Sequence, residues 1–245
     1  MSNIKIFLKR WPKFYHLLQR SYYAFYYFIE VHVFGTKTQE WIWKTRHIFK
    51  SNKWTQECIE TRNHPHRHIL LERISSFVPI KGIMEIGCNS GANLYLLAKE
   101  YPEVKLCGID INAKAIKEGN TYFKQKGITN VTLFVHKADK LKQFADKSID
   151  VIFTDATLMY IGPDKIRKVI DEMKRISCKG LIFNEWHYED YSREYLWYYG
   201  HWIYNYKSLL ADYFSSDNIR ISRHPEGLWN DENWSKFGSI IEVRL

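Results

Sequence analysis

The sequence predicts an α/β protein built on a doubly wound, mostly parallel sheet, and three observations lead there. Short apolar runs alternate with amphipathic stretches from Lys81 onward, the run "GIMEIG" opens through a glycine-containing loop into a helical pattern, and the chain closes on two strand-like runs with no helix between them. Alternation of strands and helices gives parallel strands covered on both faces, whereas two strands joined by a loop pair antiparallel at a sheet edge.

The first 60 residues stand apart as a basic, aromatic, helical extension, with the main domain spanning residues 61–245. Wound at 100° per residue, the opening stretch puts Ile4, Phe7, Leu8, Trp11, Phe14, Tyr15, Leu18, Tyr22, Phe25, Tyr26 and Ile29 on one face and Lys5, Lys9, Lys13, His16 and Arg20 opposite. Pro12 lacks an N–H, so it marks a kink or the first turn of a second helix. Lysines interrupt the apolar positions and no small-residue cleavage site follows, which argues against a signal peptide and against a membrane span. Two uses of such a helix stay open. Residues 4–29 could lie peripherally in the inner face of the cytoplasmic membrane, or pack across the main domain as a lid or dimer contact.

Charge is divided unevenly. Residues 1–80 hold 13 Lys and Arg against 5 Asp and Glu, and residues 81–245 hold 23 against 22. A nucleic-acid partner is not expected, because such an enzyme would carry basic residues around its catalytic domain too. The four cysteines, Cys58, Cys88, Cys107 and Cys178, have no short spacing, which points to reduced thiols, a cytoplasmic location and no zinc or disulfide framework.

Residues 35–60, with Trp41, Trp43 and Trp54, predict a further helix and a connection. "NHPHRHILLERISSF" predicts a helix from near Pro65 to about Phe77. His64, His66 and His68 there have no acidic neighbour in sequence, so they are expected at the mouth of a site rather than around a metal, and no metal ligands are assigned.

Beyond Lys81, strands are predicted at Ile83–Ile86, Val104–Ile109, Val131–Val135, Ile149–Phe153 and Leu181–Phe183, and helices near 91–101, 112–126, 163–177 and 192–214. "NIRISRHP" and "FGSIIEVRL" supply the antiparallel edge pair. In a doubly wound sheet the ligand crevice lies beyond the carboxyl ends of the strands. Those ends carry Glu85–Gly87, Asp110, His136–Asp139, Thr154–Asp155 and Asn184–His187.

Gly87 and Gly91 allow close backbone approach, and the helix starting near Gly91 points N–H groups at an anionic ligand group. Asp110 is placed to accept both hydroxyls of a ribose. Either NAD or S-adenosylmethionine would satisfy those features. Glu85 discriminates, because a carboxylate before the loop repels a pyrophosphate and attracts a sulfonium and an amino group. Asn89 agrees with it: the dinucleotide loop needs glycine there, while a methionine tail tolerates a side chain, and Asn accepts the left-handed region well.

"MEIGCNSGANL", "GIDIN", "HKADKL" and "DVIFTDATLMYIGPDKIRKVIDEMKRI", in this order, resemble the successive motifs of class I S-adenosylmethionine-dependent methyltransferases over roughly residues 60–245. The fourth segment and the basic aromatic N-terminus are similar to methyltransferases of bacterial surface-glycan and nonulosonic-acid pathways. The resemblance implies a Rossmann-like, seven-stranded sheet whose last strand is antiparallel. It also implies that Glu85, Gly87 and Gly91 hold the methionine end, Asp110 the ribose, and Asp139 or its neighbour Ala138 the adenine. Cys88, Asn89, Asn93, Ile111 and Asp155 complete the expected cofactor set. Where the family often carries a histidine this chain has Met159–Tyr160.

A hydroxyl acceptor benefits from a positioned base, and Asp155, Tyr160, Glu185 and His187 are the candidates, His187 first by its ordinary pKa. The aromatic stretches "WHYEDYSREYLWYYGHWIYNYKSLL" and "HPEGLWNDENW", the latter with Trp229 and Trp234, suit the apolar faces of a sugar, although Trp197, Tyr198, Trp202 and Tyr206 at helical spacing are more often core than a binding platform. The expected function is methyl transfer to a hydroxyl or amine of a sugar or surface-glycan precursor. A membrane-surface enzyme acting on a lipid-linked acceptor and a non-catalytic S-adenosylmethionine-binding protein are the alternatives.

Overall fold

A computed structural model describes residues 12–29, 33, 37–49, 57, 59–189 and 193–245. Among the described residues, nine strands form a seven-stranded sheet and a separate hairpin. They are β1 Gly82–Ile86, β2 Lys105–Asp110, β3 Val131–Val135, β4 Ile149–Asp155, β5 Ser177–Trp186, β6 Tyr195–Tyr198, β7 His201–Tyr204, β8 Ile219–Arg223 and β9 Gly238–Arg244. The large sheet runs β3-β2-β1-β4-β5-β9-β8. The first five strands are parallel, and β9 lies antiparallel to both β5 and β8. Strand order reverses between β1 and β4, which opens a crevice at their carboxyl ends.

The near-continuous apolar character of β1, β4 and β5 reflects burial on both faces. Ile83 and Phe153 pack on one side with Leu70, Leu94 and Phe123, whereas Met84, Ile152 and Phe183 pack on the other with Ile166, Ile170 and Met173. The helices are α1 Pro12–Phe28, α2 Lys37–Phe49, α3 Pro65–Ser75, α4 Ala92–Glu100, α5 Ala113–Gln125, α6 Pro163–Ile176, α7 Tyr206–Ala211 and α8 Glu232–Phe237. Their starts follow from their first residues. Asn112 caps α5 by accepting from Lys114 N and Ala115 N, both at 3.1 Å, and Pro163 sits in the first turn of α6.

One predicted element is corrected. Residues 192–214 are not a long helix: β6 and β7 form a hairpin, with Trp197 opposite Trp202, followed by the short α7. Tyr199 (φ 48°) and Gly200 (φ 86°) make a two-residue turn of the kind that matches strand twist, and aromatic residues favour the strands on either side. Trp202 and Tyr206 are core residues, while Trp197 and Tyr198 are only half-buried.

At the N-terminal end, α1 begins at Pro12, in its first turn. The predicted apolar positions Ile4, Phe7, Leu8 and Trp11, and Trp54 further on, lie outside the described residues. Tyr23 of α1 packs edge-on against Tyr199 and Trp197 of the hairpin, with ring centroids 4.9 and 6.5 Å apart. No helix among the described residues is long and apolar enough to cross a membrane.

Candidate active site

Every carboxyl end of β1 to β4 opens on one cavity of about 370 Å³, roofed by α2 and bordered by the start of α3. The loop after β1 hangs from the end of β2. Gly87 N and Cys88 N donate to Ile109 O at 2.8 and 3.0 Å, and Asn89 N donates to Asp110 Oδ2 at 2.9 Å. Gly87 (φ 78°), Asn89 (φ 51°) and Gly91 (φ 86°) are all left-handed, so Asn89 takes the conformation for which Asn is suited. A Cβ at Gly87 would lie 2.1 Å from Thr157 Oγ1, so the loop needs glycine there. Gly91 does not line the cavity; it caps α4 with its Cα against the Phe123 ring.

Asp110 accepts from Asn89 N through one oxygen and from Asn112 N (2.8 Å) through the other. Burial raises its pKa, and those backbone donors work against the rise. Each carboxylate oxygen keeps a further lone pair for a ligand hydroxyl. Beside it Ile111, Ala138 and Asp139 all line the cavity, which leaves the adenine-side choice between Ala138 and Asp139 open.

Glu85 lies on the cavity floor and is 3% exposed. Its Oε1 accepts from Asn93 Nδ2 at 2.7 Å, and its buried Oε2 has no hydrogen-bond partner among the described residues. Burial pushes its carboxyl up to about 8, against the Asn93 bond. A buried acid with one unsatisfied oxygen facing a cavity is matched to a cationic ligand group.

Asp155 lies beside Glu85, and the two share Asn93 Nδ2. Its Oδ2 meets Arg67 Nη1 (3.0 Å), His66 Nε2 (3.1 Å) and Asn93 Nδ2 (2.9 Å), and its Oδ1 accepts from Asn184 Nδ2 (2.7 Å). Burial alone would raise its pKa, but His66, Arg67 and Asn93 hold it well below the usual carboxylate range. Arg67 also donates to Asn93 Oδ1 at 2.7 Å, tying α3 to α4. Sequence reasoning missed Arg67, whose partners Asn93 and Asp155 lie 26 and 88 residues away.

The roof was legible only as one use of a helix. From α2, Gln39 Nε2 donates to Gly200 O at 3.2 Å, Glu40 forms ion pairs with Lys137 and Lys165, and Asn112 Nδ2 donates to Trp43 O at 2.8 Å. Trp43 also meets Tyr160 edge-on at 4.6 Å. Gln39, Glu40 and Trp43 thus line the cavity as a lid, although the opening helix rather than α2 carried that expectation.

Two expected bases do not reach the cavity. Glu185 is fully buried and accepts from Thr154 Oγ1 (2.8 Å), Thr157 N (2.8 Å), Leu158 N (2.9 Å) and Met159 N (3.3 Å), which makes it the cap of the turn after β4. His187 is 1% exposed, and its Nδ1 accepts from Tyr206 N at 3.2 Å. Burial lowers its pKa. Tyr160 does line the cavity, but burial pushes its hydroxyl up to about 12, too high for a base near neutral pH. Among the described residues, no three His, Cys, Asp or Glu side chains gather in a metal-holding group.

Solved structures share the fold. The solved structure of an S-adenosylmethionine-dependent methyltransferase from Aquifex aeolicus is similar over 76% of this chain and 96% of its own, with a TM-score of 0.51 and 18% identity. Geranyl diphosphate C-methyltransferase from Streptomyces coelicolor A3(2) is similar over 73% and 78%, with a TM-score of 0.58 and 12% identity. The magnesium protoporphyrin IX methyltransferase of Synechocystis PCC 6803, solved with bound S-adenosylmethionine, is similar over 86% and 91%, with a TM-score of 0.54 and 14% identity. No curated protein sequence matches significantly. The fold is that of the class I S-adenosylmethionine-dependent methyltransferases.

Residues 83–180, which hold the glycine loop, Asp110, Asp155 and α6, match the family model described as a methyltransferase domain. The chain thus carries a methyltransferase domain, and S-adenosylmethionine is the cofactor that such a domain takes. The residues fit that group: an unsatisfied Glu85 oxygen for a cation, a glycine cradle that a Cβ would fill, and the Asp110 carboxylate.

The position of His187 carries a prediction. His187→Ala is expected to cost about 1–3 kcal/mol of stability, because Tyr206 N loses a buried acceptor, while the turnover number stays within twofold of wild type. Denaturant titration and a methyl-transfer assay of the same preparation check both halves.

Proposed function

We propose that the protein moves a methyl group to a hydroxyl or amine of a sugar or surface-glycan precursor. In this reading Gly87, Cys88, Asn89, Asn93 and Glu85 hold the amino-acid end of the cofactor. Asp110 holds the ribose, and Ile111 with Ala138 or Asp139 the adenine. Gly91 sets the loop and the start of α4. The observation that carries the cofactor placement is the pair of carboxyl groups, Glu85 buried and Asp110 half-buried, flanking one glycine loop in one cavity.

S-adenosylmethionine supplies a methyl group already activated on a sulfonium. The chain's own residues therefore mainly orient. Glu85 presents its free oxygen to the cationic end, Asp155 with Arg67 and Asn93 fixes the wall beside it, and α2 with Trp43 and Gln39 shuts water out. The acceptor side is where Trp229 lies parallel to Trp234, with centroids 4.5 Å apart, and over His64 at 4.3 Å. Such an aromatic wall suits the apolar face of a sugar. Incubating the enzyme with labelled S-adenosylmethionine and cell-envelope extract, followed by mass analysis, should yield a methylated glycan precursor; a labelled product of another class would replace the acceptor assignment.

A membrane-surface reading has its own observation. Leu17, Leu18 and Phe25 on α1 are 60, 42 and 66% exposed, on a segment rich in basic residues. Flotation with vesicles of anionic lipid at low salt is expected to carry the full chain, and to leave behind a chain lacking residues 1–30. Equal flotation of both, or of neither, would remove this reading.

A further inference from the structure

At the start of α3, two histidines form a line to Asp155 of β4 under one tryptophan. His64 is half-buried and lines the cavity, and its Nδ1 lies 2.6 Å from Nδ1 of His66. His66 is 4% exposed, and its Nε2 lies 3.1 Å from Asp155 Oδ2. Trp229 covers both imidazoles, with centroids 4.3 Å from His64 and 4.5 Å from His66, and is stacked on the latter.

From this line we propose that His64 is the base that takes the acceptor's proton, with His66 and Asp155 as a relay behind it. The inference rests on the methyltransferase reading above and adds that the acceptor atom bears an exchangeable proton. Before transfer, one proton lies on His64 Nδ1 and points at His66 Nδ1, while His66 donates its Nε2–H to the Asp155 carboxylate. His64 Nε2 is then a bare lone pair.

In the reaction the acceptor oxygen or nitrogen forms its bond to the methyl carbon as the methyl–sulfur bond breaks, and the bonding electrons leave on sulfur. The acceptor's O–H or N–H proton goes to His64 Nε2. The Nδ1 proton of His64 passes to His66 Nδ1, leaving His66 an imidazolium against Asp155. His64 Nδ1 then accepts from both His66 Nδ1–H and the His66 backbone N–H, which lies 3.4 Å away as the cap of α3. The proton-loaded arrangement is thus the one in which every donor has an acceptor. Trp229, stacked on His66, favours the cation and keeps water away. Because the charge comes to rest beside a carboxylate rather than at the substrate, the relay separates the proton from the newly methylated group.

Other charged groups frame the pair. Arg67 follows on α3, Asp155 comes from β4, and His224 follows β8, with its Nε2 2.7 Å from Asn184 Oδ1. Burial lowers the His64 pKa below its ordinary value, and His66 and Arg67 lower it further, so His64 is neutral and competent near neutral pH.

The test uses full-length enzyme and His64→Asn, which keeps a good helix-capping residue and removes the base. With cell-envelope extract as acceptor, turnover at pH 7 should fall about 10²-fold or more, while calorimetry shows S-adenosylmethionine bound as in wild type. The acidic limb of the wild-type pH profile should disappear in His64→Asn. In His66→Asn it should move upward, a shift that a merely structural role of His66 would not cause. Independently of any acceptor, long-range proton–nitrogen NMR should show one strongly deshielded proton shared by the two Nδ1 atoms, absent from both variants. Turnover within threefold of wild type in His64→Asn, or no shared proton in wild type, would overturn the relay and leave the methyltransferase reading standing. Loss of cofactor binding by wild type itself would strike that reading instead.

Discussion

Asp155→Ala is expected to lower the free energy of unfolding by about 3–5 kcal/mol, because it strips the counterion from buried Arg67 and the hydrogen-bond partner from buried His66. The carboxylate is 8% exposed and receives four side-chain hydrogen-bond partners, so little of the loss is screened by solvent. The pH dependence follows in sign. Since the folded-state pKa is depressed, the contribution of Asp155 is fully present above the ordinary carboxylate value near 4 and is lost as pH falls below it. The gap between wild type and Asp155→Ala, measured by denaturant titration, should therefore be widest above pH 5 and shrink in more acidic buffers. A gap under 1 kcal/mol at pH 7 would mean that the α3-to-sheet junction is held by something else.

Glu85→Gln carries the second large effect, on the cofactor rather than on the fold. Loss of one charge-assisted interaction is worth about 1.5–3 kcal/mol, or roughly 10- to 150-fold in affinity for S-adenosylmethionine. The carboxyl, pushed up to about 8, is largely protonated near neutral pH in the free enzyme, and a cationic ligand draws off the proton. Affinity of the wild type should rise between pH 6 and 8 and level off above that, with proton release visible as a buffer-dependent binding enthalpy. The glutamine variant should show neither. Stability moves the other way. With the folded pKa raised from its ordinary 4.5, the stabilising share of Glu85 is complete below pH 4.5 and is lost as pH rises to about 8. Unliganded Glu85→Gln should thus gain on wild type across that window.

What could be read from residues alone followed range. The strand, loop and helix around Gly87 are local, and Glu85, Asn89 and Asp110 showed their chemistry through their position at strand ends. The hairpin was misread because Trp197, Tyr198, Trp202 and Tyr206 satisfy a helical period, and the turn that decides otherwise has Tyr199 at positive φ, which side chains rarely accept. Glu185 and His187 were placed in the site because they end β5. That strand, however, stays paired with β9 as far as Trp186, and Glu185 spends its carboxylate on the turn at residues 157–159. Arg67, Gln39 and Glu40 left no local signal, since each works through a partner far along the chain. The histidines before α3 did leave one. Their spacing placed them at the mouth of the site, and only the fold brought the acid of β4 to them.

The central claim is that one cavity, floored by Glu85 and Asp110 and roofed by α2, holds S-adenosylmethionine for methyl transfer. The most direct measurement is a crystal structure of the full chain with S-adenosylhomocysteine. The account predicts the ribose hydroxyls on Asp110, the amino-acid end along Gly87 toward Glu85, the adenine beside Ile111 with Ala138 or Asp139, and Trp43 over the top. A nucleoside bound anywhere else, or an amino-acid end turned away from Glu85, would contradict it.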